Sequence, residues 1–450
     1  MGFMVVWYYG LNCVFQPGPA GWSLFRATEL GQAFGSMARH LLVGRFDVDP
    51  DAIGSEAFEV GDRIVSYFGI FCALLRLPLQ LFAGPRDLDI THASSLIAIC
   101  LGGWFQLRAL LAMRDATAPG PRRDWLTAAL VVCILLGGQQ IQFSRVSIYQ
   151  EVVDWANALA MGFVMLAVRG LLHGFNSRTL TGMALFASLA LLDRVSFGVG
   201  LYAALGGVLL VHWRLGPWPV LVLAAGLVVV GIVNHGRWGN PLVFADFTRY
   251  ALSQDVTPER IGHIVTYGAF NWRRLGLGLS YYFVPIWMWI GQDGRMLFAD
   301  TKIAMMDAME LPAGSFLLTD PFLITLSACG VVLGLRPRGE PAGLALLAGL
   351  AVPPVLMLLA ISMAYRYRLE FYPFFVLSAL LGFRALCHRS SRPFGAGVRA
   401  SIIASVVVSV LASHAMAAIY AVSPWGPAEA YIEKDGWIGT YAPRSRTGHD

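Results

Sequence analysis

Charge is scarce in this sequence. Only 14% of its 450 residues are Asp, Glu, Lys or Arg, against about 25% in an ordinary soluble domain, which excludes a conventional water-soluble globular protein. Lysine is nearly missing: of 33 basic residues only Lys302 and Lys434 are lysines. The six cysteines (13, 72, 100, 133, 329, 387) stand singly, mostly inside apolar runs. None forms CxxC or pairs with histidine at a metal spacing, so they read as small apolar packing residues. No GxGxxG follows a strand, and no Walker phrase or HExxH is present. No nucleic-acid partner is expected. No internal repeat is evident.

The opening run MGFMVVWYYGLNCVF has neither a basic n-region nor a small-x-small cleavage site, so no cleavable signal is expected. It is also short for a span. Either the helix continues past Gln16, or the start of the chain clips it.

Apolar residues are plentiful, at 56%, with a mean hydropathy of +0.60. Repeated runs of about 17–25 apolar residues are the signature of spanning helices. The expected fold is an all-α polytopic membrane protein of about eleven transmembrane helices, with juxtamembrane helices in its outer loops. The spans are expected near 1–20, 90–113, 125–143, 154–172, 179–193, 195–213, 217–234, 317–335, 341–362, 371–387 and 400–422. Residues 1–422 then form a single transmembrane domain, and 423–450 a polar extracytoplasmic tail. The segment 64–84 carries Arg76 and Pro78, so it reads as interfacial or re-entrant rather than as a clean span. LGLGLSYYFVPIWMWI (275–290) is aromatic and amphipathic, which favours the outer headgroup level.

Charge distribution orients the bundle. With the N-terminus inside, the inner loops hold Arg114, Arg122, Arg123, Arg169, Arg178, Arg214, Arg336, Arg338, Arg384, Arg389, Arg392 and Arg399, against Asp115, Asp124 and Glu340. The positive-inside rule favours this topology. It places outer loop 1 (21–90), the region 235–316 and the tail outside the cytoplasm, as in a bacterial inner membrane protein.

Outer loop 1 carries seven carboxylates: Glu29, Asp47, Asp49, Asp51, Glu56, Glu59 and Asp62. Other ionisable groups gather at the outer ends of the spans. Glu151 and Asp154 enter the fourth span, Asp193 and Arg194 sit between two short helices, and Asn234, His235 and Arg237 end the seventh. Arg366, Arg368 and Glu370 lie where the ninth emerges. Taken singly, each reads as a side chain snorkelling to water; together they mark a substrate path. An outward site of carboxylates and arginines suits transfer from a phosphate-bearing lipid. Arg194, Arg366 and Arg368 would hold the phosphate by charge-assisted hydrogen bonds. A carboxylate would serve as general base on an acceptor hydroxyl. Glu151, Asp62, His235 and Arg237 are candidate substrate contacts.

TELGQAFGSMARHLLVGRF (28–46) resembles the segment after the first helix in GT-C-type membrane glycosyltransferases of the protein O-mannosyltransferase and aminoarabinose transferase superfamily. There an acidic pair opens a short juxtamembrane helix. Glu29 matches the first acid, and Leu30 stands at the second. Either Glu29 serves alone, or Asp47, Asp49 or Asp62 takes over. YFGIFCALLRLP (67–78), Glu151, LLDRVSFG (191–198) and YRYRLEFYPFFVL (365–377) are similar to further phrases of that superfamily. The resemblance implies inverting transfer of a sugar from a polyprenyl-phosphate donor to an extracytoplasmic glycan, lipid or protein acceptor. Asp51, Glu56 and Glu59 read as solvated.

The FDVDPD run (46–51) stays open between three readings: a divalent cation site for Mg²⁺ or Mn²⁺, a solvated acidic loop, and base or acceptor chemistry. Two rival functions also stand. A transporter or flippase of lipid-linked saccharides would carry broken helices or charges near the bilayer midplane, in two similar halves. A non-catalytic assembly protein would tolerate replacement of Glu29.

Overall fold

The computed structural model describes residues 27–83, 89–143, 146–212, 216–250, 259–285, 288, 297–310, 314–334, 340–389 and 392–422. The expected first span (1–20) and the tail (423–450) lie outside the described residues, as do 286–287 and 289–290 of the aromatic segment. The chain is an all-α membrane protein. Among the described residues, seven helical stretches are long and apolar enough to cross a bilayer: Thr91–Asp115, Pro121–Phe143, Ile148–His173, Trp218–Trp238, Pro341–Leu359, Tyr365–Arg389 and Ala396–Tyr420. Three of the other expected spans are shorter helices: Ser177–Asp193, Val195–Val211 and Pro321–Gly334.

In chain order, α1 (Ala33–Leu42) and α2 (Phe71–Ala83) pack on each other in outer loop 1. Between them lies a small antiparallel ribbon, β1 (Phe58–Val60) with β2 (Arg63–Val65), in which Val60 faces Arg63 across the Gly61–Asp62 turn. The bundle follows as α3 (Thr91–Asp115), α4 (Pro121–Leu136), α5 (Ile148–His173), α6 (Ser177–Asp193), α7 (Val195–Val211) and α8 (Trp218–Trp238). The next stretch holds α9 (Glu259–Tyr267), α10 (Leu275–Phe283) and α11 (Ala299–Met305). It closes with α12 (Pro321–Gly334), α13 (Pro341–Leu350), α14 (Val352–Leu359), α15 (Tyr372–Arg389) and α16 (Ala396–Val422).

Helix α5 is the axis of the bundle. The Ser147 hydroxyl caps its N-terminus by accepting from the Tyr149 N–H, which satisfies one of the first turn's orphan donors. Almost every residue from Ile148 to Leu171 is buried, as expected of a helix enclosed on all sides. α3 and α6 pack along it, α7 packs on α6, and α8 leans on the far side of α6. By contrast, α8 and α16 leave Leu221, Val228, Ile232, Ile403, Val407 and Leu411 exposed. Those aliphatic stripes suit contact with lipid tails rather than water.

The described part of segment 64–84 divides into β2, an irregular stretch and the 13-residue α2, with Pro78 inside the helix. One departure from the sequence reading bears on function. The aromatic 275–290 segment is not a surface stripe: among its described residues the α-helix covers Leu275–Phe283, and Tyr281 and Tyr282 are fully buried. Tyr282 packs on Phe371, centroids 4.9 Å apart, because burying such rings against other aromatics gains more than leaving them at an interface.

Loop 1 docks on the end of α8. Gly236 allows this approach, since a Cβ there would lie 2.3 Å from the Phe46 ring. Arg63 Nη1 donates to the Gly236 carbonyl at 3.0 Å. Phe58 stacks on Tyr250 at 4.9 Å and meets Trp238 edge-on at 5.5 Å. These rings roof the space beneath.

Candidate active site

Under that roof lies a cavity of about 770 Å³. Its walls are the start of α5, the break between α6 and α7, the end of α8, and the stretch after α14. The break is backbone-encoded: Arg194 is extended (φ −143°, ψ 113°), so α6 stops and α7 starts around it.

Three guanidinium groups line this cavity: Arg194, Arg366 and Arg237. Arg194 Nε and Nη2 reach Glu370 Oε1 at 2.7 and 2.6 Å. Arg366 Nη1 reaches Glu310 Oε1 at 2.6 Å. Both guanidinium carbons sit over the Tyr367 ring, at 4.7 and 5.0 Å from its centroid, a favourable cation–π geometry. Arg366 also lies over Tyr149 at 4.9 Å. Glu310 accepts further from the Tyr365 N–H at 2.7 Å. Arg194 and Arg366 are therefore each anchored by a buried glutamate and an aromatic face.

Glu29 also lines the cavity. It sits in a turn closed by Gly31 N–H to the Thr28 carbonyl at 3.1 Å, with Leu30 in the left-handed region at φ 57°. A leucine there costs about 1–2 kcal/mol, so neighbours must hold the turn. Asp89 does so: its Oδ2 accepts from Thr28 N and Oγ1 at 2.6 and 2.7 Å, and its Oδ1 from Thr91 N at 2.9 Å. A Cβ on Gly31 would fall 1.9 Å from Asp89 Oδ2. The clamp ties Glu29 to the start of α3.

Asp47 and Asp49 are placed elsewhere. Asp47 is paired with Arg45 and with His40 Nδ1 at 2.8 Å. Asp49 accepts from Ser36 Oγ at 2.6 Å, from Arg39 at 3.1 Å, and meets His40 Nε2 at 3.1 Å. Neither lines the cavity. These contacts weigh against base chemistry at the FDVDPD run: a carboxylate whose oxygens are spent on cations is a weak base. The same partners make a poor donor set for Mg²⁺ or Mn²⁺, which want bare oxygens. Among the described residues no group of three or more His, Cys, Asp or Glu is arranged to hold a metal.

The remaining candidates divide. Glu151 is fully buried in a two-pronged pair with Arg76, at 2.8 and 2.9 Å. Arg368 is buried with the Gly314 carbonyl at 2.8 Å and Asp320 at 3.2 Å, against the Phe316 ring. Both are outside the cavity lining, as are Asp62, exposed at the ribbon's turn, and His235, exposed on the last turn of α8. The structure thus gathers Glu29, Arg194, Arg366 and Arg237 and leaves the other six elsewhere.

Sequence reasoning missed several residues. Glu56, expected to be solvated, lines the cavity and accepts from the Tyr149 hydroxyl at 2.6 Å. Asp307 and Glu310 line it as well. The signal for that pair was present: two acids three residues apart in AMMDAMEL, just before a span.

The acids of loop 1 set a pH dependence. Burial raises Asp47, but bonds from Arg45 and His40 outweigh it and hold it below its ordinary range. Asp49 is lowered mainly by the Ser36 hydrogen bond. Asp89 is raised by burial, yet bonds from Thr91 and Thr28 leave it lowered on balance. Depressed folded values contribute stability that is complete above the unfolded value, about 3.9, and lost as pH falls through the folded one. The hydrogen-exchange protection factors of residues 28–65, corrected for the intrinsic pH dependence of amide exchange, should therefore be flat from neutral pH to about 5 and fall below about 4. Unchanged protection at pH 3 would count against the network.

Fold and site together define a polytopic all-α membrane protein with a charged cavity at one end of its bundle. No protein-family profile and no curated protein matches the sequence. Among solved structures, the chain is similar to the Archaeoglobus fulgidus oligosaccharyltransferase tethered with an acceptor peptide, at TM-score 0.45 and 13% identity over 98% of this chain. It is similarly related to that enzyme in complex with an inhibitory peptide and a dolichol-phosphate, at TM-score 0.44 and 12% identity. The chain spans 57% and 58% of the lengths of these two chains.

Proposed function

We propose that this protein is a membrane glycosyltransferase of GT-C type that transfers a sugar from a polyprenyl-phosphate donor to an extracytoplasmic acceptor, with inversion. The observation that carries the reading is the make-up of the cavity. One part is polar, with Glu29, Arg194, Arg366 and Arg237; another is apolar, with Val199, Val230, Val233 and Met357. A lipid-linked, phosphate-bearing sugar has the same division. The positive-inside rule, applied to the arginine-rich loops 114–124, 169–178 and 384–399 of the sequence, supports a cavity on the side away from the cytoplasm.

In this reading a guanidinium group of the cavity holds the phosphate and stabilises it as a leaving group. Glu29 takes the proton of an acceptor hydroxyl as it attacks the anomeric carbon from the face opposite the phosphate. The proton passes to Glu29 Oε, the new glycosidic bond forms, and the bond to the phosphate oxygen breaks.

Incubating the purified protein with a panel of radiolabelled polyprenyl-phosphate sugars and membrane acceptors tests this. Transfer or slow hydrolysis of at least one donor is the expected result. Binding of the whole panel without turnover would overturn catalysis in favour of a carrier of lipid-linked saccharides.

A further inference from the structure

We infer that Arg237, rather than Arg194 or Arg366, takes the phosphate of the donor, with the lipid chain lying along the α8 face that leads to it. The inference rests on the glycosyltransferase reading above and says where in the cavity the donor sits. Arg194 and Arg366 are already neutralised by Glu370 and Glu310. Arg237 is only 3% exposed and has no carboxylate partner among the described residues. Its Nη1 donates to the Phe68 carbonyl at 2.7 Å and its Nη2 meets Met37 Sδ at 3.4 Å, while Nε makes no bond. A buried cation without an anion is costly. An anionic ligand group in the adjoining space offsets that cost.

The helix that carries Arg237 shows which kind of anion fits. Val230, Val233, Asn234 and Arg237 all line the cavity, and their spacing puts them on one face of α8. At about 1.5 Å per residue the face changes from aliphatic to cationic within roughly 10 Å. Across the cavity stand Val199 of α7 and Met357 of α14. Aliphatic walls ending at a lone guanidinium match a phosphate on an isoprenoid better than a free sugar phosphate. The Asn234 amide nitrogen is spent on the Pro241 carbonyl at 3.1 Å, which leaves Arg237 as the donor on this face. Its place is fixed beforehand, because Phe46 and Arg63 clamp the neighbouring Gly236.

The test is binding of undecaprenyl phosphate, and of phosphate-free undecaprenol, to the full-length protein in lipid nanodiscs. Arg237→Met should weaken undecaprenyl phosphate by roughly 10- to 100-fold, the loss of a charge-assisted hydrogen bond, and leave undecaprenol unchanged. Arg237→Lys should recover part of the loss, since it restores charge without the planar fork. Val230→Trp, which fills the aliphatic side and leaves the cation intact, should weaken both lipids and carries the test if Arg237→Met does not fold. Wild-type affinity in a folded Arg237→Met, with loss in Arg194→Met or Arg366→Met, overturns this placement but leaves the glycosyltransferase reading standing. Wild-type affinity in Val230→Trp overturns it too. Failure of the wild-type protein to bind undecaprenyl phosphate at all would instead remove the reading on which the placement rests.

Discussion

Replacing Glu29 with glutamine is expected to lower sugar transfer by about 10²–10⁴-fold, the usual contribution of a positioned general base, without changing thermal stability or lipid binding. The substitution keeps the shape of the side chain and removes its ability to take a proton. Glu29 is exposed in the cavity, so little folding energy depends on it. Of the other acids, Glu56 is engaged with Tyr149, Glu310 with Arg366, Asp307 with Ser362, and Asp47 and Asp49 with their cations; Asp193, which also lines the cavity, is only 2% exposed and accepts from the Cys72 thiol on Oδ1. Initial rates with a radiolabelled donor decide the matter. Full turnover in Glu29→Gln together with loss in Glu56→Gln would move the base to Glu56, whose hydrogen bond to Tyr149 would then be its positioning contact.

The bundle was legible from the sequence because hydrocarbon imposes a simple constraint. Long apolar runs must be helices there, and the Asp193–Arg194 break shows as two charges between apolar runs. That ionisable groups gather at helix ends was legible too: Arg194, Arg237 and Arg366 all stand at or beside such ends. Which charged residues share a cavity was not. Arg366 and Arg368 are two residues apart in one 3₁₀ turn, Tyr365–Phe371, and such neighbours point in different directions. Arg366 faces the cavity, and Arg368 is buried against Phe316 and Asp320. Likewise, seven acids in loop 1 look alike as a string. Their fates depend on contacts from 2 to 93 residues away: Arg45 for Asp47, Arg39 for Asp49, and Tyr149 for Glu56.

Glu151 is the sharpest case of that ambiguity, and its replacement should have the largest effect on stability. A buried acid at the outer start of a span reads from sequence as a substrate contact. In the structure it is wholly inside, 0% exposed, and both its oxygens face the Arg76 guanidinium. Removing one partner of such a pair leaves an uncompensated charge, which costs about 3–5 kcal/mol. Glu151→Ala and Arg76→Ala should each lower the melting temperature of the purified protein steeply. The double replacement Glu151→Leu with Arg76→Met removes both charges and keeps the volume. It should recover most of the loss, because an apolar pair of similar size is often as stable as a buried ion pair. Such a protein should still bind undecaprenyl phosphate with wild-type affinity, since neither side chain lines the cavity. If the double variant folds well but no longer binds the lipid, Glu151 and Arg76 act on the substrate after all, and the boundary of the site must be drawn one layer deeper.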